Sequence, residues 1–361
     1  MNKAQELHNL GQSLWLDNIT RAILDDGSLR HYIDEFSVTG LTSNPTIFDE
    51  AIGNTGAYDE GIQKKAKAGK SGESLFMELA LEDLRRAADM FRPVFDQTDG
   101  VDGWVSMEVS PLLANDTPGS IEAAARTYRQ AWRPNLYVKI PGTAEGVPAI
   151  EESIFDGVPI IVTLLFSREQ YLAAAEAYMR GIERRLAAKR DPRVASVASL
   201  FVSRWDKAVG DKVPPELRNR LGIAIAGRTY RAYRDLLASP RWRKLLAAGA
   251  RPQRLLWAST GTKDPKASDT LYVEALAAPD TIDTIPEKTL RAFADHGELN
   301  GVMAEDGGDA EAVLASFAKS GVDADALATG LQRDGAQAFV KSWKELMTRI
   351  AEKSHALTHA G

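Results

Sequence analysis

The chain has 361 residues, enough for one large α/β domain or two ordinary ones, and its 44% hydrophobic and 26% charged residues are typical of a soluble globular protein. A formal net charge of −6 gives no electrostatic reason to expect nucleic acid as a partner. Cysteine is absent, which excludes disulfides, thiolate nucleophiles and cysteine metal sites. No apolar run is long enough for a signal or a membrane span, so we expect a cytoplasmic protein without a membrane partner.

Two short patterns resemble ligand sites but lack parts of them. His355 and His359 have helical metal-ligand spacing, yet they lie in the last few residues with no acidic residue between them. The lysine-rich run 64–70 has Lys64 where a phosphate-binding loop needs its first glycine, so we interpret the run as a solvated helix end. We therefore expect neither a bound metal nor a cofactor.

Short apolar runs alternate with helical segments along the whole chain. The predicted strands are 14–19, 38–45, 103–111, 136–143, 159–167, 194–202, 255–259 and 281–286. The predicted helices are a short one ending near 12, then 21–35, 50–97 with a break at 69–72, 120–132, 147–154, 168–189, 215–237 and a looser segment at 264–276. A final apolar stripe at helical spacing predicts a C-terminal helix over about 336–357.

This alternation predicts an α/β fold, a (β/α)8 TIM barrel with additional N- and C-terminal helices, as a single domain over 1–361. A doubly wound sheet would alternate in the same way. The barrel is favoured because polar residues fall toward the C-terminal ends of six different strands, which converge on one mouth in a closed barrel. These residues are Asp17, Thr42, Asn44, Glu108, Lys139, Thr163 and Ser199.

Lys139 lies near the end of the fourth predicted strand. Alternation along that strand places Tyr137 and Lys139 on one face. If both faces are covered, loss of water disfavours the ammonium form, and we expect a populated neutral amine that can attack carbonyls. The alternative is a lysine whose stem lies on the sheet while its ammonium reaches water at the strand end.

A lysine with two carboxylates at one mouth suits carbonyl chemistry through a Schiff base. The iminium of Lys139 would withdraw electrons from a neighbouring carbon–carbon bond, and Asp17 or Glu108 could remove the hydroxyl proton that starts its cleavage. The other carboxylate could hold a water that Thr163 orients. The structural alternative is a buried Lys139–Glu108 ion pair, which is a doubtful source of stability because both charges lose their hydration.

Two cations near the mouth could bind a phosphate. Arg204 lies just past the sixth strand, and Lys263 ends the polar segment 259–263 after the seventh. A guanidinium fork and a compact ammonium are a common pair for phosphate recognition. The alternative is that both are ordinary surface cations.

Six ordered motifs resemble the successive strand motifs of transaldolase, in its longer bacterial type, over about residues 10–350. They are LWLD at 14–17, GLTSNP at 40–45, VSMEV at 105–109, VKIPGT at 138–143, VTLLFS at 162–167 and WASTGTK at 257–263. The resemblance implies a metal-free class I aldolase-type barrel of the pentose phosphate pathway. Such an enzyme moves a dihydroxyacetone unit from sedoheptulose 7-phosphate to glyceraldehyde 3-phosphate, which gives erythrose 4-phosphate and fructose 6-phosphate.

The resemblance also implies roles for the catalytic residues. Lys139 would be the Schiff-base lysine, and Asp17 the acid and base at the hydroxyl next to the cleaved bond. Glu108 and Thr163 would hold the catalytic water.

The expected substrate-binding residues lie around the same mouth. They are Thr42, Asn44, Ser199, Phe201, Arg204, Ser259 and Lys263. By resemblance, Asn44 and Ser199 would bind hydroxyls of the three-carbon unit, with Thr42 nearby. Arg204 would bind the phosphate, and Lys263 replaces, by position and charge, a second phosphate arginine of the family.

Ile161 departs from the family pattern. The family usually has an asparagine two residues before the threonine of the fifth strand, where it donates a hydrogen bond to the bound three-carbon unit. Losing a hydrogen bond to a buried hydroxyl typically costs about 1–3 kcal/mol. We therefore expect slow or altered activity.

Two other functions remain open at this stage. A fructose 6-phosphate aldolase would use a similar lysine, but its chain would be much shorter, and a phenolic residue would be needed where Phe201 stands. A non-catalytic sugar-phosphate-binding barrel is favoured only by Ile161. The sequence also leaves open a homodimer, and a fusion or association with another sugar-phosphate enzyme.

Overall fold

A computed structural model describes residues 2–359 of the chain. Among these residues, eight parallel strands close into a barrel in chain order, with β1 paired to β8. The strands are β1 (Ser13–Leu16), β2 (Val38–Leu41), β3 (Trp104–Glu108), β4 (Leu136–Pro141), β5 (Ile160–Leu165), β6 (Ser196–Phe201), β7 (Gln253–Ala258) and β8 (Thr281–Ile285). The predicted (β/α)8 barrel is confirmed.

Helices surround the barrel and cover its ends. They are α1 (Lys3–Asn9), α2 (Arg21–Asp25), α3 (Ser28–Phe36), α4 (Pro45–Asn54), α5 (Asp59–Lys67), α6 (Gly72–Gln97), α7 (Thr117–Ala131), α8 (Gly146–Asp156), α9 (Arg168–Ala187), α10 (Ser203–Val209), α11 (Leu221–Ala238), α12 (Pro240–Ala247), α13 (Leu271–Ala275), α14 (Glu287–His296), α15 (Ala310–Lys319) and α16 (Ala324–His359). Short 3₁₀ turns occur at Pro111–Leu113, Gly210–Lys212 and Pro215–Leu217.

The predicted strands are all present, and each ends before the C-terminal end of its apolar run, although β1 and β7 begin earlier than predicted. β1 ends at Leu16, so Asp17 is the first residue beyond it, where its backbone N–H still donates to the carbonyl of Ile285, 2.9 Å away. In the same way, Thr42 and Asn44 follow β2 rather than lie within it. These residues therefore belong to the loops at the C-terminal mouth.

Helix boundaries differ more from the prediction. The helix expected over 21–35 is two helices, because Gly27 adopts a left-handed conformation with φ +83° and ends the first one. The segment 264–276 is helical only in α13. The sequence patterns did not indicate α10, α12, α14 or α15. The expected break near 69–72 is confirmed, since α5 ends at Lys67 and α6 begins at Gly72.

The C-terminal helix α16 begins at Ala324, well before the expected start near 336. Its apolar stripe is buried, as predicted, through Phe339, Trp343, Leu346 and Ile350. The first turns, by contrast, are rich in polar residues and glycine, so helical periodicity does not reveal them.

Aromatic side chains fill the barrel interior below the mouth. The rings of Trp104 and Tyr137 stack with centroids 4.0 Å apart, and Trp15 lies 6.0 Å from Tyr137. Gly40 is required beside them, because a Cβ there would lie 2.7 Å from the indole nitrogen of Trp15. The interior is therefore a packed core, and its polar side chains open toward the C-terminal end.

A β-bulge interrupts β5 at its C-terminal end. The register against β6 shifts between Val162 and Leu165, so that two residues, Thr163 and Leu164, lie opposite the single residue Ser199. The prediction that Leu165 shares a face with Thr163 is therefore wrong, because the inserted residue reverses the alternation beyond it.

Candidate active site

Lys139 is the centre of the polar site at the barrel mouth. Only 8% of the residue is exposed, which favours the buried amine over a lysine whose ammonium reaches water at the strand end. Its Nζ donates a hydrogen bond to the carbonyl of Ser43, 2.8 Å away, and lies 3.5 Å from Oε2 of Glu108. Ser43 contacts Lys139 through its backbone carbonyl rather than its side chain, so the identity of residue 43 could not predict this contact.

Glu108 is paired in register with Lys139 on the adjacent strand. It is 5% exposed, and apart from the ammonium of Lys139 its carboxylate oxygens have no partner among the described residues. Burial raises the pKa of Glu108, an effect that the charge of Lys139 opposes and that of Asp17 reinforces. A carboxyl group with a raised pKa holds its proton more tightly than an exposed one, which suits a group that both donates and accepts a proton.

Asp17 approaches the lysine from β1. Its Oδ1 accepts a hydrogen bond from the hydroxyl of Thr42 at 2.9 Å, and Thr42 is also hydrogen-bonded to the hydroxyl of Thr284. Desolvation raises the pKa of Asp17, against the charges of Lys139 and Lys263. Thr284 was missed in the sequence, although it occupies the C-terminal end of β8 like the residues that were found.

Thr163 and Ile161 border the lysine from β5. Thr163 is 1% exposed, and its hydroxyl has no hydrogen-bond partner among the described residues. Ile161 is paired directly with Lys139 and is buried, so it presents an apolar side chain to the lysine. Ser199 is also buried, on β6 opposite the bulge.

Asn44 is the N-cap of α4. Its Oδ1 accepts a hydrogen bond from the backbone N–H of Ile47 at 3.1 Å. With the oxygen engaged in capping, the carboxamide nitrogen is the group that Asn44 can offer to a ligand.

Arg204 lies in the first turn of α10, between two aromatic rings. Its guanidinium carbon is 5.0 Å from the ring centroid of Phe201 and 5.8 Å from that of Phe339 on α16. Burial lowers the pKa of Arg204, while the charge of Glu108 raises it. Phe339 was assigned to packing from the sequence, and nothing there indicated that it also contacts this arginine.

Lys263 and Ser259 lie in the loop after β7. Lys263 is exposed and lines a cleft of about 350 Å³ that Lys207 and Arg218 also border. Ser259 adopts a left-handed conformation with φ +57°, and its hydroxyl is hydrogen-bonded to that of Ser203 at 2.9 Å. Lys263 is therefore at the rim of the mouth, and Ser259 is already engaged by a neighbouring side chain.

Two further features bear on ligands and membranes. In the described part of the chain, no three His, Cys, Asp or Glu side chains are grouped so that they could hold a metal. The His355–His359 pair is not tested, because the side chain of His359 lies outside the described residues. None of the helices between residues 2 and 359 is long and apolar enough to cross a membrane.

The fold and candidate site define a (β/α)8-barrel protein with a buried lysine and two carboxylates at its C-terminal mouth. The family described as transaldolase/fructose-6-phosphate aldolase matches residues 14–350. A transaldolase of Thermobifida fusca is 44% identical over 98% of this chain and 99% of its own length. One of Saccharopolyspora erythraea is 42% identical over 97% of both chains, and transaldolase 2 of Nostoc punctiforme is 38% identical over 99% of both. The chain belongs to the transaldolase/fructose-6-phosphate aldolase family.

Proposed function

We propose that this chain is a transaldolase that acts through a Schiff base on Lys139. One observation carries the proposal: a buried lysine whose ammonium lies 3.5 Å from a buried carboxylate at the mouth of the barrel. The full-length similarity to proteins named transaldolase supports the reaction class. The proposed donor is sedoheptulose 7-phosphate, and the proposed acceptor is glyceraldehyde 3-phosphate.

The first half of the reaction forms the iminium. The neutral amine of Lys139 adds to the donor ketone, and the resulting carbinolamine loses water. Glu108 supplies the proton that lets hydroxide leave as water, and it takes a proton back when the imine is hydrolysed. We propose that the carboxylate oxygens of Glu108 and the unpartnered hydroxyl of Thr163 hold that water.

Asp17 then starts the bond cleavage. Its carboxylate removes the proton of the hydroxyl on the far carbon of the bond to be broken, so that this carbon becomes the aldehyde of the leaving fragment while the electron pair of the bond moves into the iminium. Erythrose 4-phosphate leaves, and an enamine of dihydroxyacetone stays on Lys139. The reverse steps with glyceraldehyde 3-phosphate give fructose 6-phosphate, and Asp17 returns the proton. The hydrogen bond from Thr42 fixes the carboxylate of Asp17 for both transfers.

The remaining residues are proposed to hold the substrate. Asn44 and Ser199 would bind hydroxyls of the three-carbon unit, with Thr42 nearby. Arg204, oriented by Phe201, would bind the phosphate, and Lys263 would assist it from the rim. Ser259 would contribute indirectly, by shaping the loop that carries Lys263.

The proposal extends to the setting of the enzyme. We propose that residues 1–361 form one catalytic barrel that serves the non-oxidative pentose phosphate pathway in the cytoplasm. A fructose 6-phosphate aldolase activity belongs to the same family, but Phe201 offers no phenolic hydroxyl at the position where that reaction would use one.

Borohydride trapping tests the proposed function. The protein is incubated with fructose 6-phosphate, reduced, digested and analysed by mass spectrometry. We expect a three-carbon adduct on Lys139, and none in the Lys139→Met variant, which keeps an unbranched stem of similar length to that of lysine but has no amine. A folded wild-type protein at saturating donor that gives no adduct would rule out this mechanism.

A further inference from the structure

The bulge in β5 places a leucine in an unfavourable backbone conformation next to a proposed catalytic residue. Leu164 follows Thr163 directly and has φ +58°, in the left-handed region that favours glycine. Bulges of this kind redirect a side chain, and they persist only where surrounding contacts hold them. Contacts from neighbouring elements therefore have to hold Leu164 in this conformation.

Part of this support comes from a single side chain of the C-terminal helix. Nε2 of Gln332, on α16, donates hydrogen bonds to the carbonyl of Leu164 at 3.0 Å and to the carbonyl of Gly142 at 2.9 Å. Gly142 in turn donates its N–H to the carbonyl of Thr163 at 2.7 Å. One carboxamide therefore connects the ends of β4 and β5, which carry Lys139 and Thr163.

A glycine on α16 allows this helix to approach the bulge closely. A Cβ at Gly335, three residues after Gln332, would lie 3.0 Å from Cδ2 of Leu164 and 3.2 Å from Nη1 of Arg204. The glycine lets the helix approach both groups. The far end of α16 is held independently by the ion pair of Arg349 with Asp49, at 2.7 Å.

We propose that Gln332 is a positioning residue, which fixes the bulge and thereby the direction of the Thr163 hydroxyl. The inference rests on the proposed function, in which Thr163 orients the catalytic water. Among the described residues, the side chain of Gln332 is hydrogen-bonded to these two backbone carbonyls and to no proposed catalytic or substrate-binding side chain. It acts on the rate of the water-dependent steps rather than on substrate affinity.

Two variants test this role. Gln332→Leu removes the donor, and Gln332→Glu replaces it with an ionised group that faces two carbonyl oxygens and cannot donate. Gln337→Leu is the matched control, because Gln337 is an exposed glutamine of the same helix. We expect kcat to fall at least tenfold in both Gln332 variants, with KM for the donor changed less than threefold and with slower borohydride trapping at Lys139.

The glutamate variant gives a readout that a general packing defect does not. A protonated carboxyl group can donate one hydrogen bond, so the ratio of variant to wild-type kcat should rise as the pH falls from 8 to about 5.5. If Gln332→Leu does not fold, the pH dependence of kcat can still be measured in Gln332→Glu, whose side chain has nearly the same shape as glutamine. A ratio that stays constant with pH would overturn the inference.

The two proposals fail in different ways. A wild-type protein that forms no adduct and transfers no three-carbon unit removes the proposed function and this inference together. The inference alone fails if the wild type is active but the Gln332 variants keep wild-type kcat. It also fails if KM for the donor rises by the same factor as that by which kcat falls.

Discussion

Lys139 and Glu108 are register neighbours on β4 and β3, and the ammonium of the first lies 3.5 Å from the carboxylate of the second. Apart from that ammonium, the carboxylate oxygens have no partner among the described residues, although both are buried. Both charges lose their hydration in this position, so the pair is a doubtful source of stability. This arrangement therefore favours a role in proton transfer over a role in stabilising the fold.

The first prediction concerns Glu108. Glu108→Gln keeps the shape of the side chain but cannot exchange a proton, so we expect kcat to fall by about 10²–10⁴, the usual contribution of general acid–base catalysis. KM for the donor should change little, and the trapped adduct on Lys139 should form more slowly. The exposed Glu122→Gln, on α7, is the control and should keep wild-type kcat. A Glu108→Gln enzyme within threefold of wild type would contradict the assigned role.

The second prediction concerns the acid limb of the pH profile. The pKa values of Asp17 and Glu108 are raised above their ordinary values of 3.8 and 4.5, chiefly by desolvation. As the pH falls through these raised values, the carboxylates are protonated and can no longer accept protons. We therefore expect kcat to fall on the acid side at a pH above the ordinary carboxyl range. A profile flat down to pH 4.5 would count against both carboxylates as bases.

Arg204 gives the third prediction. Arg204→Lys keeps the charge but loses the planar fork and its stacking on Phe201. We expect KM for fructose 6-phosphate to rise about tenfold, while trapping with unphosphorylated dihydroxyacetone stays at the wild-type level. Arg333→Lys, at an exposed position on α16, should leave both unchanged. Equal losses with both ligands would show that Arg204 has a general structural role instead.

Ile161 gives the fourth prediction. It is the register neighbour of Lys139, so a polar side chain at 161 would lie beside the bound three-carbon unit. We expect Ile161→Asn to increase turnover or donor affinity, by up to about tenfold, because the carboxamide can donate to a substrate hydroxyl. Ile161→Val separates this effect from simple enlargement of the pocket. If the asparagine variant gains nothing over the valine variant, the apolar residue does not limit the activity.

The barrel could be predicted from the sequence because apolar strand segments alternate regularly with helical segments. Most of the candidate site could be predicted because its residues lie at the C-terminal ends of those strand segments. Glu108, Lys139 and Thr163 were found by their places at the ends of apolar runs, and the structure brings Glu108 to Lys139 as expected. The bulge at Leu164 could not be found, because the run 162–166 is almost entirely apolar and gives no sign of where the alternation reverses.

Contacts between distant segments were the other limit. Gln332 reaches β4 and β5 across about 170–190 positions of sequence, and it lies outside the stretch whose periodicity predicted the C-terminal helix. The acceptor of the Lys139 hydrogen bond is a backbone carbonyl, which every residue has. Neither contact involves a pattern that a single sequence can reveal.

The fifth prediction concerns Asp283, on the last strand of the barrel. The residue is fully buried on β8, its Oδ1 accepts a hydrogen bond from Thr260 at 2.8 Å, and its Oδ2 has no partner among the described residues. Burial raises its pKa from 3.8 to about 8. Since the folded state binds this proton more tightly than the unfolded chain, its contribution to the free energy of unfolding falls as the pH rises from about 4 to about 8.

Asp283→Asn removes this titration and keeps the acceptor for Thr260. Relative to wild type, the variant should become more stable as the pH rises, with little difference near pH 4 and the largest gain above pH 8. Each pH unit between those limits corresponds to about 1.4 kcal/mol at most. Denaturant unfolding at pH 4.5, 6.5 and 8.5 measures the effect, with the exposed Asp34→Asn as control. A stability difference that does not change across this range would mean that Asp283 is ionised in the folded protein.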